Sequence, residues 1–207
     1  MLLTARCAGC ERRGAVLCRT CRFALISRPS LAAPGGVVVA SAYTGRVRAV
    51  LLGCKYHNRR AVAAHVGGIL VQRLVASGLD AAALDAVTWA PTTPGRRRQR
   101  GFDQAESIAR AVAAHLGVPC RRLLDRDGGA AQTGRGRRAR LAPGSRPRFR
   151  AHPRVGGARV LVVDDIVTTG ATLQAADTAL RRAGATSVTL AAIAATPGCL
   201  LPARRVA

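Results

Sequence analysis

Asp164 and Asp165 stand side by side between an apolar run, Val160-Leu161-Val162-Val163, and a turn of small and hydroxyl-bearing residues, Thr168-Thr169-Gly170-Ala171-Thr172. Adjacent carboxylates can accept hydrogen bonds from a sugar diol. The small residues let backbone N–H groups close on an anion, and the threonine hydroxyls can donate to phosphate oxygens. Downstream, Leu173, Ala176, Leu180 and Ala183 recur at helical spacing until Gly184, which predicts that the turn opens a helix whose N-terminus favours negative charge. Upstream, the apolar run lacks the polar alternation of a half-exposed strand and predicts a strand buried on both faces of a parallel sheet. Ligands of such sheets gather at the C-terminal ends of the strands, where these aspartates fall. Successive strand side chains point to opposite sides, so one cavity receives both carboxylates only if the chain turns there.

A phosphate cradle beside a diol-sized acid pair fits ribose 5-phosphate chemistry. The chain lacks the Gly-x-x-x-x-Gly-Lys-Ser/Thr loop of P-loop enzymes and the Gly-x-Gly-x-x-Gly of dinucleotide folds. An ordinary strand-turn-helix with surface aspartates is the plain alternative. The segment resembles the signature of the type I phosphoribosyltransferases, which bind 5-phosphoribosyl 1-pyrophosphate (PRPP). That resemblance implies that Asp164 and Asp165 hold the ribose hydroxyls and act in catalysis, and that Thr168, Thr169, Gly170, Ala171 and Thr172 hold the 5′-phosphate. It also implies Mg2+ on the diphosphate and an α/β fold with a mostly parallel twisted sheet flanked by helices.

A second constellation lies near the N-terminus. Cys7-Ala-Gly-Cys10 and Cys18-Arg-Thr-Cys21 are two C-x-x-C pairs seven residues apart, a spacing that suits a structural zinc ion held by four thiolates. Redox cysteines, or a site that has lost a ligand, are the other readings. Four sulfurs leave zinc no open position for water, so the expected role is structural. So short a segment has too little core to fold without a staple. Cys54, Cys120 and Cys199 are isolated and read as small apolar residues.

These constellations need a scaffold, and 207 residues suit one α/β domain with a small appendage. Hydrophobic residues make up 49% of the chain, which excludes an intrinsically disordered polymer. No apolar stretch approaches the roughly 20 residues of a membrane span, and Met1 to Cys7 lacks the apolar core of a signal peptide. A cytoplasmic location is therefore expected. Lys and Arg number 33 against 10 Asp and Glu, a formal charge of +23 that favours anionic partners such as nucleic acid or polyphosphate. Lys55 is the single lysine, and an arginine excess of this kind also arises from base composition, so charge names no partner. Aromatic content of 3% argues against a stacking platform for single strands.

The scaffold reads as follows. Arg28 to Gly36 forms a Pro/Gly-bearing connector, which sets an expected boundary between a head over 1–36 and a main domain over 37–207. Strands are expected over Val37–Ala42, Leu84–Ala90 and Ser187–Thr196, and helices over Arg46–Leu52, Val62–Val75 and Gln104–Leu116. Between Pro91-Thr92-Thr93-Pro94 and Gln104 runs Gly95-Arg96-Arg97-Arg98-Gln99-Arg100-Gly101-Phe102-Asp103, expected as a loop that is either an anion contact or a solvated turn. Lys55, Thr92, Thr93 and Arg100 are the candidates for pyrophosphate. Residues 125–154, rich in Gly, Arg and Pro, read as a flexible basic loop, either a lid or a disordered linker.

The Cys head, Lys55, Arg100-Gly101-Phe102-Asp103-Gln104 and the Val160–Thr172 signature occur in the order seen in the ComF/GntX family, which the chain resembles over nearly its whole length. The resemblance implies a phosphoribosyltransferase-like protein with a zinc-ribbon-like N-terminal segment, associated with DNA uptake in natural transformation. It further implies single-stranded DNA and other uptake proteins as partners. Gln132 and Phe149 match the family's loop region. Asp103 stands where the family has Asn, and the Asn expected between Gln132 and Phe149 is absent. A non-catalytic nucleotide- or DNA-binding accessory protein is the alternative function.

Overall fold

The computed structural model describes residues 5–26, 31–56, 61–126 and 147–201. Gln132 and most of the expected basic loop lie outside the described residues.

The scaffold is a five-stranded sheet in the order β1-β2-β7-β6-β3, formed by Leu31–Ala33, Val37–Ala42, Ser187–Ala195, Arg159–Val167 and Ala86–Trp89. The pairs β2–β7, β7–β6 and β6–β3 are parallel, and only β1–β2 is antiparallel. The fold is thus α/β with a mostly parallel sheet, as the unbroken apolar runs predicted. Both faces are covered. Leu161, Val163, Ala191 and Ile193 face one layer with α1 (Arg19–Ile26), α2 (Gly45–Tyr56), α3 (Ala61–Ala76) and α5 (Gln104–Leu116). Val160, Val162, Leu190 and Ala192 face the other, with α6 (Ala171–Arg182) packed through Leu173, Ala176 and Leu180. Each of those three side chains is at most 1% exposed, so truncating either leucine to Ala costs about 2–5 kcal/mol.

Three expectations need correction. Leu31–Ala33, expected to be connector, forms β1 on the sheet edge, in register with Val37–Val39. A strand of three residues is too short to show an alternation. The stretch expected as a loop after Pro91 contains a helix, α4 (Pro94–Arg100). Its ends were legible: Pro94 at the first helical position, and Gly101 just beyond the last with φ of 74°, are the usual start and stop of a helix. The ends of the expected basic loop are strands, since β4 (Leu124–Arg126) and β5 (Phe149–Ala151) pair antiparallel as a separate two-stranded sheet.

The Cys-bearing segment shares the main core. Cys7, Ala8, Leu17, Cys21 and Leu25 pack in one cluster with Val50 and Leu51 of α2. At Gly53 a Cβ would fall on the Ala8 carbonyl oxygen, so a side chain there would push the head off its helix.

Candidate functional site

The site sits at the C-terminal edge of β6, and its geometry begins with a change of parity. Alternation runs from Val160 to Val163, with even residues on the α6 side and odd ones on the α5 side. Beyond the aspartates it reverses, because Ile166 packs on the α5 side and Val167 on the α6 side. Across that reversal Asp164 and Asp165 both open onto one cavity of about 420 Å3. The chain does not leave the sheet to achieve this, for β6 continues to Val167. The Asp165 N–H donates to Asp164 Oδ1 at 2.7 Å, which turns that carboxylate back along its own backbone. Asp164 is partly buried, and this burial together with the charge of Asp165 holds its carboxyl well above the usual aspartate range.

The same cavity is lined by Tyr43, Thr92, Arg100, Asp103, Gln104, Arg126, Thr168 and Thr172. Thr169, Gly170 and Ala171 line a recess of about 20 Å3 that shares Asp164, Thr168 and Thr172 with it, enough for one water-sized atom. Gly170 precedes α6 with φ of 78°, a left-handed conformation that a side chain would strain. The Thr169 hydroxyl accepts from the Ala171 N–H at 3.4 Å, and Thr196 donates to the Thr168 carbonyl at 3.3 Å, tying the turn to the end of β7. Ala171, Thr172 and Leu173, the first residues of α6, line the recess beside the carboxylates, and a helix N-terminus favours negative charge.

Of the other sequence candidates, Thr92 and Arg100 line the cavity, while Thr93 is outside its described lining and accepts from Arg97 N–H at the start of α4. Lys55 lies in the last turn of α2. A larger cleft of about 1070 Å3 runs along α6 and β5, lined by Arg148, Phe149, Arg150 and Arg182. Its described lining holds no carboxylate, so the smaller cavity is where acids, cations and hydroxyls converge.

The model of the phosphoribosyl transferase domain matches residues 103–207, from the start of α5 through the turn and α6 to the end of the chain. The chain belongs to the phosphoribosyl transferase domain family. Among solved structures, glutamine PRPP amidotransferase from B. subtilis is 27% identical with a TM-score of 0.46, covering 65% of this chain and 26% of that one. The chain thus spans about a quarter of that enzyme's length. Purine phosphoribosyltransferase from Pyrococcus horikoshii is 19% identical with a TM-score of 0.41, over 65% and 74% of the two chains. Hypoxanthine phosphoribosyltransferase from Trypanosoma cruzi is 17% identical with a TM-score of 0.39, over 72% and 70%. No curated protein matches the chain.

Three cavity residues of this phosphoribosyl transferase domain were not among the site candidates, although Asp103 and Gln104 belong to the Arg100–Gln104 element. Asp103 is the N-cap of α5: its Oδ1 accepts from Ala105 N–H at 3.1 Å and its Oδ2 from Thr92 N–H at 2.8 Å. Burial raises its carboxyl above the ordinary value, and the N–H donors of Thr92, Glu106 and Ala105 offset part of that rise. A signal existed, since Asp103-x-x-Glu106 has the form of a capping box. Gln104 donates to the Leu51 carbonyl at 3.4 Å, while its buried Oε1 has no hydrogen-bond partner among the described residues. Arg126 reaches the cavity from β4, and nothing local in the sequence marks it.

The four head cysteines have sulfurs that all lie within 4.8 Å of one another, with Cys10 and Cys18 at 3.7 Å. Zinc–sulfur bonds of about 2.3 Å place tetrahedral sulfurs about 3.8 Å apart, so the set could hold a metal such as zinc. Burial would raise the Cys7 thiol, but N–H groups of Cys18, Gly9 and Cys10 outweigh it and bring the thiol to about 6. Burial and the neighbouring sulfurs push Cys21 up to about 12, a clustering of thiols that a cation would relieve. All seven cysteines are free of disulfides.

Proposed function

We propose that the 420 Å3 cavity binds PRPP with Mg2+ and that the chain is a ComF-type phosphoribosyltransferase-like protein. The observation that carries the reading is that Asp164, Asp165, Thr168 and Thr172 open onto one cavity at the mouth of β6. In this reading the two carboxylates take the ribose 2′ and 3′ hydroxyls, and Thr168, Thr169, Gly170, Ala171 and Thr172 take the 5′-phosphate. Thr92 and Arg100 face the pyrophosphate, with Thr93 and Lys55 as further contacts. Displacement at the ribose C1 breaks the bond to pyrophosphate, which leaves with the electron pair, and forms a bond to a nitrogen nucleophile. Positive charge gathers on the ribose ring meanwhile, and the acid pair holding the ribose hydroxyls stabilises that charge. A cavity carboxylate together with the substrate phosphates would hold Mg2+, which would supply charge neutralisation for the leaving group. The Cys7, Cys10, Cys18 and Cys21 set holds structural zinc, and the protein works in the cytoplasm.

A second reading follows from the net charge of +23 and from the ComF resemblance: the basic surface binds single-stranded DNA during uptake, alongside other uptake proteins. The two are separable. Titration calorimetry of the full chain with PRPP and Mg2+ should give saturable binding that changes little between low and moderate salt. DNA affinity should fall steeply, by about 0.7 log units per neutralised phosphate for each log unit of salt. Release of pyrophosphate on adding candidate bases marks turnover; PRPP binding without release under any base leaves a binding protein. Absence of PRPP binding by the intact chain refutes the principal reading.

A further inference from the structure

One peptide group beside the cavity is gripped at both ends of its dipole. The N–H of the Pro91–Thr92 peptide donates to Asp103 Oδ2 at 2.8 Å, and its carbonyl, on Pro91, accepts from Arg126 Nη1 at 3.2 Å. The anion thus meets the positive end of the peptide and the cation the negative end, so both bonds are charge-assisted and favour a single orientation. Both holders are themselves fixed. Asp103 is 5% exposed and caps α5, and the Arg126 guanidinium lies 5.5 Å over the Phe149 ring centroid. The peptide leads directly into Thr92, which lines the cavity, and on to α4, which ends in Arg100 on the same cavity.

The chemistry at 103 requires a carboxylate. Its two oxygens accept from two different backbone N–H groups, Ala105 and Thr92. Asn would offer one acceptor and set an NH2 group against the other N–H. The Asp at this position is therefore matched to a geometry that Asn cannot satisfy.

We propose that Asp103 and Arg126 are positioning residues that clamp the Pro91–Thr92 peptide and so preset the loop for the pyrophosphate end of the substrate. The inference rests on the PRPP reading for its ligand, though the clamp itself does not. Full-length Asp103→Ser is the informative variant, because Ser is as good an N-cap as Asp but its single short hydroxyl cannot also reach Thr92. Two measurements are needed: amide hydrogen exchange at Thr92 without ligand, and affinities for PRPP with Mg2+ and for ribose 5-phosphate, which lacks the pyrophosphate.

The expected result is Thr92 exchange about tenfold faster and PRPP binding about tenfold weaker, while ribose 5-phosphate changes less than about twofold. Arg126→Gln should give the same split between the two ligands and carries the test if Asp103→Ser does not fold. Unchanged Thr92 exchange in the folded variants, or equal weakening of both ligands, would overturn the clamp. A wild type that binds neither ligand refutes the PRPP reading instead, and Thr92 exchange alone then decides the clamp.

Discussion

At one end of the molecule four sulfurs converge within 4.8 Å of one another against the core; at the mouth of β6 neighbouring carboxylates share an open cavity with two arginines. Both gather like groups that repel when ionised. In the head the four sulfurs lie close enough to hold one metal ion, and a cation bound by all four thiolates would relieve the repulsion and add stability. In the cavity, burial and the Asp165 charge raise the Asp164 carboxyl, so charging both acids together is costly in the free protein. The difference teaches where stability and function part. In the proposed function a closed cluster would hold the fold, and an open one would store a cost that a ligand's hydroxyls and a bound cation remove.

The largest way to break this comparison is at the head. Cys21→Ser should abolish zinc binding and lower the melting temperature steeply, since structural zinc contributes on the order of 10 kcal/mol in small sites and Cys21 packs in the main core. Elemental analysis and a thermal melt read it directly. A variant that melts within a few degrees of wild type would remove the head from the structural ledger.

Asp164→Asn should act in the opposite sense and more gently. A carboxyl whose folded pKa lies above its unfolded value of about 3.9 binds more protons when folded, so stability is fully present below that value and is lost as pH rises through the folded pKa. At pH 7 the neutral amide, which can still accept from Asp165 N–H, should therefore raise stability, and the gain should vanish as pH falls below the unfolded value of about 3.9. Denaturant melts at the two pH values check the sign. A loss at pH 7 would mean that the carboxylate supports the fold.

The smallest expected effect lies in the turn. Gly170→Ala should cost about 1 kcal/mol, because φ of 78° disfavours a side chain there. It should weaken ribose 5-phosphate in calorimetry while leaving zinc content unchanged. Equal affinity in both proteins would separate the turn from phosphate binding.

What the sequence disclosed follows the same division. The Val160–Thr172 segment and the two cysteine pairs are contiguous, so strand, turn and helix start could be read from neighbours alone. The parallel sheet was legible because its strands are apolar without alternation. The parity reversal at Asp164 and Asp165 was not, since it depends on how β6 and β7 end together. Arg126 enters the cavity only because β4 pairs with β5 far along the chain, and no local pattern anticipates that. Asp103 looked like a charged departure from Asn, and its two N–H partners came from Thr92 and from its own helix. The α4 helix was hidden by its arginines, whose charge suggested a loop although Pro94 and Gly101 marked its ends.

The twin aspartates are the proposed holders of a sugar phosphate. Titration calorimetry of PRPP with Mg2+ against the wild type and Asp164→Ala/Asp165→Ala, both with a full complement of zinc, tests this most directly. The account predicts saturable binding in the wild type and a loss of at least about a hundredfold in the variant, as expected when two hydrogen bonds to charged acceptors are removed. Binding of equal strength in both proteins would contradict it.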